Sequence, residues 1–129
     1  MSAAGINPLP VQRPIPIWLG GGSEKAIRRA AQIADGYFPH PYSPLEGGWP
    51  VTISKLRGFV EEAGRDGSSF GLEAWVMTGR DNKPDTWKAE IDEWCTLDAT
   101  HLSFSTIKAG FSSPDQHLAR LAEVKAIAS

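Results

Sequence analysis

The chain has 129 residues, 41% hydrophobic and 22% charged, with a formal net charge of -2, the composition of one ordinary globular domain. Weak negative charge and no basic cluster longer than Arg28-Arg29 argue against a nucleic-acid or membrane-surface partner, and no apolar run reaches the ~20 residues of a membrane span. Cys95 is the single cysteine, which rules out an internal disulfide and suits a reducing cytoplasm, while His40, His101 and His117 are scattered with no second soft ligand nearby, which argues against a metal.

Residues 1–13 are rich in proline and glycine and read as an extended lead-in, without the basic start or apolar centre of a secretory leader. The remainder, 14–129, reads as one structural unit. Ile15, Ile17, Trp18 and Leu19 predict a short strand covered on both faces, with its prolines at the beginning, where a strand tolerates them. Gly20-Gly21-Gly22 then turns the chain. Ser23 is placed to cap a helix whose inner side carries Ala26, Ile27, Ala30, Ala31, Ile33 and Ala34. Asp35-Gly36 ends that helix, and Tyr37-Phe38 forms a very short second strand.

Residues 39–50 hold four prolines and form the longest irregular stretch, long enough for a lid, a contact arm or a stiffened surface loop. A helix is predicted from about Thr52, with Ile53, Leu56, Phe59, Val60 and Ala63 inward. Phe70 to Thr78 alternates as a strand does. Pro84 opens a third helix with Trp87, Ile91, Trp94 and Leu97 on one face. Thr100 to Ser105 is the fourth strand. Ser113-Pro-Asp-Gln116 has the form of a capping box, ahead of a helix with Leu118, Leu121, Val124 and Ile127 inward. The result is four strand–helix units with parallel strands, an α/β fold equal to half of an eight-fold barrel of ~250 residues.

Chemistry concentrates at Gly20-Gly21-Gly22-Ser23. Glycines let the backbone approach a ligand, and the helix behind them offers unpaired N–H groups and a positive dipole end to an anion. No Gly-Lys-Ser/Thr follows, and Lys25 stands where a dinucleotide fingerprint needs glycine. His40, Ser105, Thr106 and Lys108 lie just past strand ends, where barrels place functional groups. The acidic run Asp81, Asp85, Glu90, Asp92 and Glu93 belongs mostly to an exposed helix side. No catalytic residue can be singled out.

Pro14-Ile-Pro-Ile-Trp-Leu-Gly-Gly-Gly-Ser23, Arg29-Ala-Ala through Ala34-Asp-Gly-Tyr-Phe38, and Ala99-Thr-His-Leu-Ser103 together resemble the C-terminal half of the bacterial luciferase-like monooxygenases. Pro114-Asp-Gln-His-Leu118 fits as well. The resemblance implies a TIM-type barrel that orients FMN or a deazaflavin coenzyme of the F-420 type for redox chemistry on a small organic substrate. It places the cofactor phosphate against Gly21, Gly22 and Ser23, with help from the position of Ala26. Some members carry a hydroxyl at that last position, and alanine here leaves only the backbone N–H. Nothing in this chain corresponds to the family's first four strand–helix units, with their cis peptide against the cofactor ring. The resemblance therefore implies a homodimer, a complementary N-terminal half, or a truncated remnant of the barrel. The rival readings are an inactive half-barrel assembly module and an unrelated doubly wound phosphate-binding domain.

Overall fold

A computed structural model describes residues 11–40, 43–79 and 83–128 of the chain. In order they form β1 (Trp18–Gly20), α1 (Glu24–Ile33), β2 (Gly36–Phe38), α2 (Gly48–Glu62), a 3-10 turn (Gly67–Ser69), β3 (Gly71–Met77), α3 (Pro84–Thr96), β4 (His101–Ser105) and α4 (Pro114–Ala128). The strands make one four-stranded sheet in the order β1-β2-β3-β4, every neighbouring pair parallel. A sequential order has no point at which the winding reverses, so the sheet is not of the doubly wound type. It is the half-barrel arrangement that four consecutive βα units dictate.

Alternation along β3 sorts its two faces. Leu72, Ala74 and Val76 are buried toward the helices, and the registers align Leu19 with Tyr37 and Tyr37 with Leu72 on that side. Ile27, Ala30 and Ala31 of α1, Ile53, Leu56 and Val60 of α2, and Trp87, Ile91 and Trp94 of α3 complete the core. The opposite face carries Trp18, Phe38, Glu73, Trp75 and Met77, all partly buried. Phe38 and Trp75 rings lie 5.4 Å apart there. At the N-terminal end of the sheet the Trp18 indole lies across Gly36 and Gly71. A Cβ on Gly36 would stand 2.6 Å from the ring, and one on Gly71 closer still. His101 meets the same indole edge-on at 5.1 Å.

Several expectations change. β1 begins at Trp18, and Ile15 and Ile17 are 58% and 53% exposed rather than covered. Pro14 and Pro16 have no N–H to place in a ladder, and β1 is an edge strand, so nothing lies over its leading residues. α2 begins at Gly48, four residues early, because Gly47 and Gly48 at φ 95° and 82° swing the chain into the helix. Trp49 therefore sits in a helical turn, with its ring 5.0 Å from that of Trp94, rather than in the loop. Ile33 on α1 and Leu118 and Leu121 on α4 are exposed. α1 packs on α2 and α3 on α4, so those three residues lie on the outer flanks of the helix layer, where no further helix stands. The lead-in falls outside the described residues up to position 10, and residues 11–13 are exposed bends. No helix among the described residues is long and apolar enough to cross a membrane.

A glycine turn at the strand ends

β1 stops at Gly20, and Gly21 and Gly22 carry the chain to Ser23, the N-cap of α1. Gly21 has φ 136°, a conformation closed to ordinary side chains, and a Cβ there would come within 2.7 Å of the Ala26 methyl. Ser23 is extended, at φ -99° and ψ 150°. Its hydroxyl accepts the Ala26 N–H at 3.2 Å, and its carbonyl accepts that of Ile27 at 3.0 Å. The Ala26 N–H is thus engaged by the cap, and its methyl packs under the turn. The N–H groups of Gly22, Ser23, Glu24 and Lys25 meet no acceptor among the described residues. Those donors, at the positive end of a ten-residue helix, suit an oxyanion such as a phosphate terminus. Glu24 carries the nearest negative charge. It is matched by Lys55 at 2.8 Å, whose hydrogen bond and charge hold the carboxyl below its usual range.

Two neighbours shape the turn. Tyr37 on β2 is fully buried and donates its hydroxyl hydrogen to the Gly21 carbonyl. Burial pushes its phenol up to about 12, so it stays a donor throughout the neutral range. On the other side Ser43 presses on Gly22. A Cβ on Gly22 would fall within the Ser43 side chain and 3.1 Å from its Oγ. Ser43 in turn donates its N–H to the His40 carbonyl at 3.1 Å, and its Oγ lies 3.4 Å from His40 Nδ1. The segment after β2 therefore folds onto the glycine turn and brings His40 and Ser43 beside it. Ser43 had no sequence signal beyond the length and proline content of residues 39–50.

The other candidates lie elsewhere. Ser105 ends β4 and Thr106 and Lys108 follow it, three strand spacings or about 14 Å across the sheet from β1. Thr106 Oγ1 meets His117 Nδ1 at 2.6 Å, and Ser105 Oγ accepts the Ile107 N–H at 3.3 Å. Beside them Thr78 donates its hydroxyl to the Ser105 carbonyl at 3.0 Å, and Arg120 donates to the Thr78 carbonyl at 3.0 Å. The Arg120 guanidinium also stands 4.7 Å from the Trp87 ring centre and 5.0 Å from that of Phe111. This clasp ties the ends of β3 and β4 to α3 and α4. On the open face Ser103 of β4 donates to the Glu73 carboxylate of β3, a pair that no local signal in the sequence marks. Asp81 lies outside the described residues, and Asp92 of the acidic run pairs with Lys88 at 2.8 Å. Among the described residues no group of three or more His, Cys, Asp or Glu side chains could hold a metal ion.

Comparison with known proteins gives a family. Among solved structures the chain is similar to the coenzyme F420 dependent tetrahydromethanopterin reductase from Methanopyrus kandleri, at 19% identity and a TM-score of 0.39. The match covers 84% of this chain and 27% of that one, so the chain spans little more than a quarter of that protein's length. No curated protein matches. A family model described as luciferase-like monooxygenase matches residues 2–96, most of the chain, and the chain accordingly belongs to the luciferase-like monooxygenase family of oxidoreductases.

Proposed function

We propose that this chain is the phosphate-holding half of a luciferase-like oxidoreductase barrel that binds FMN or a deazaflavin coenzyme of the F-420 type. The observation that carries the reading is the row of unengaged N–H groups from Gly22 to Lys25, behind a glycine turn at the C-terminal ends of β1 and β2. Gly21 supplies the tight bend, Gly22 and Ser23 supply donors, and Ala26 is small enough to sit beneath them. The cofactor, when bound, supplies hydride transfer or oxygen activation toward a small organic substrate. The chain's own part would be to hold the phosphate at Gly22 and Ser23 and so fix one end of the cofactor.

In this reading Trp18, Phe38, Trp75 and Met77 on that face become barrel interior. Four further strands close the sheet, from a second copy of the chain or from an N-terminal half. Closure covers both edges, β1 with Ile15 and Ile17 and β4 with Ile107, which would otherwise offer unpaired backbone groups. FMN and riboflavin share the ring and differ by the phosphate, so calorimetric titration of both tests the site. FMN binding at least tenfold tighter supports the phosphate reading, and equal affinity overturns it. Sedimentation of the same samples reports whether two copies associate.

A further inference from the structure

We propose that Tyr37 is the positioning residue of the glycine turn: its buried hydroxyl, bonded to the Gly21 carbonyl, turns the Gly21–Gly22 peptide so that the Gly22 N–H faces the anion. The proposal rests on the reading of that turn as a phosphate site. A trans peptide is planar, and its C=O and N–H point in opposite directions. Holding the Gly21 carbonyl against Tyr37 therefore aims the Gly22 N–H away from the core. Glycine on both sides of the bond leaves this peptide with little steric preference of its own, as the φ of 136° at Gly21 illustrates. With the peptide reversed, a carbonyl oxygen would point where the anion sits and repel it. Something must select the orientation, and Tyr37 reaches the carbonyl from a fixed place: it is paired in register with Leu19 on one side and Leu72 on the other, with a ring that is fully buried. A phenylalanine would fill the same core space. The hydroxyl adds nothing to apolar burial, and the use the structure gives it is this one bond at the turn.

The test uses the full chain with labelled glycine and tyrosine. In wild type the Tyr37 hydroxyl proton should exchange slowly and lie close to Gly21, and FMN, but not riboflavin, should move the Gly22 amide resonance. In Tyr37→Phe the Gly21 carbonyl and Gly22 amide signals should shift before any ligand is added, while those of Gly36 and Gly71 hold. FMN affinity should fall about tenfold, the value of one well-placed hydrogen bond to an anion, with riboflavin binding unchanged. A Gly22 amide in wild type that ignores FMN overturns the phosphate site and this proposal together. A responsive wild type with a Phe variant of equal affinity overturns the role of Tyr37 alone. Should the Phe variant not fold, the wild-type hydroxyl decides: a freely exchanging proton without contact to Gly21 overturns the proposal, and a protected one in contact supports it.

Discussion

Replacing Gly71 by alanine should destabilise the fold through Trp18 and through nothing else. The added methyl would overlap the indole that lies across Gly36 and Gly71, and displacing that ring would also disturb its edge-on contact with His101 at 5.1 Å. Overpacking of this sort costs about 1–3 kcal/mol. Against it stands a gain of about 0.4–1 kcal/mol, because alanine restricts the unfolded chain more than glycine does. The net expectation is a loss of about 1–2 kcal/mol. With a urea slope of about 2 kcal/mol per molar, the unfolding midpoint should fall by roughly 0.5–1 M. The decisive comparison is the same substitution in a Trp18→Ala background, at one fixed protein concentration so that any association is held constant. There the overlap is gone, and Gly71→Ala should be neutral or mildly stabilising. An equal loss in both backgrounds would refute the reasoning, because the cost would then lie in the β3 backbone and not in the ring above it.

Alkaline unfolding should carry the signature of Tyr37. Its phenol ionises at about 12 in the fold against an ordinary 10.0, so the stabilisation is complete below pH 10 and is lost as pH rises toward 12. The stability difference between wild type and Tyr37→Phe should shrink by up to ~2 kcal/mol across that window, measured by denaturant titration. Ser23→Ala removes the acceptor of the Ala26 N–H and should cost about 1 kcal/mol of thermal stability, as loss of an N-cap does. Arg120→Met keeps the aliphatic stem but gives up the bond to the Thr78 carbonyl and the stacking on Trp87 and Phe111. A loss of about 2 kcal/mol should follow, with Arg120→Lys in between.

What could be read from the residues alone follows a physical pattern. Helical faces with interior partners were legible: Trp87, Ile91 and Trp94 are buried as their spacing implies. Ser23 caps α1, and Gln116 reaches back to the Ser113 N–H at 3.1 Å as a capping box requires. Periodicity identifies an apolar stripe but not whether a neighbour exists to cover it. That is why Ile33, Leu118 and Leu121 are apolar and yet exposed. The early start of α2 depends on two positive φ values at Gly47 and Gly48, which the symbols for glycine permit without demanding. At the site, the turn itself was visible because glycine and a capping serine are local signals. Tyr37 beneath it and Ser43 against it were not, since both are contacts between segments distant in the chain.

The sheet is thinnest in its middle. β2 and β3 share a register of two residues, against five between β3 and β4. Over the same place the helix layer parts, and a cavity of about 310 Å³ opens between α2 and the approach to β4, lined by Leu56, Val60, Phe70 and Leu72. Arg57 reaches across to the Leu97 carbonyl at 2.7 Å and to Asp98 at 3.0 Å, but as an exposed strap that contributes little on its own. β1-α1-β2-α2 and β3-α3-β4-α4 therefore share only a short strand pairing, and they are joined mainly by the common core and by the Trp49–Trp94 contact between α2 and α3. The glycine turn, Tyr37 and Ser43 all lie on the β1-α1-β2 side of that pairing, so the hydrogen bond and the close contact that shape the turn do not depend on the shortest register in the sheet.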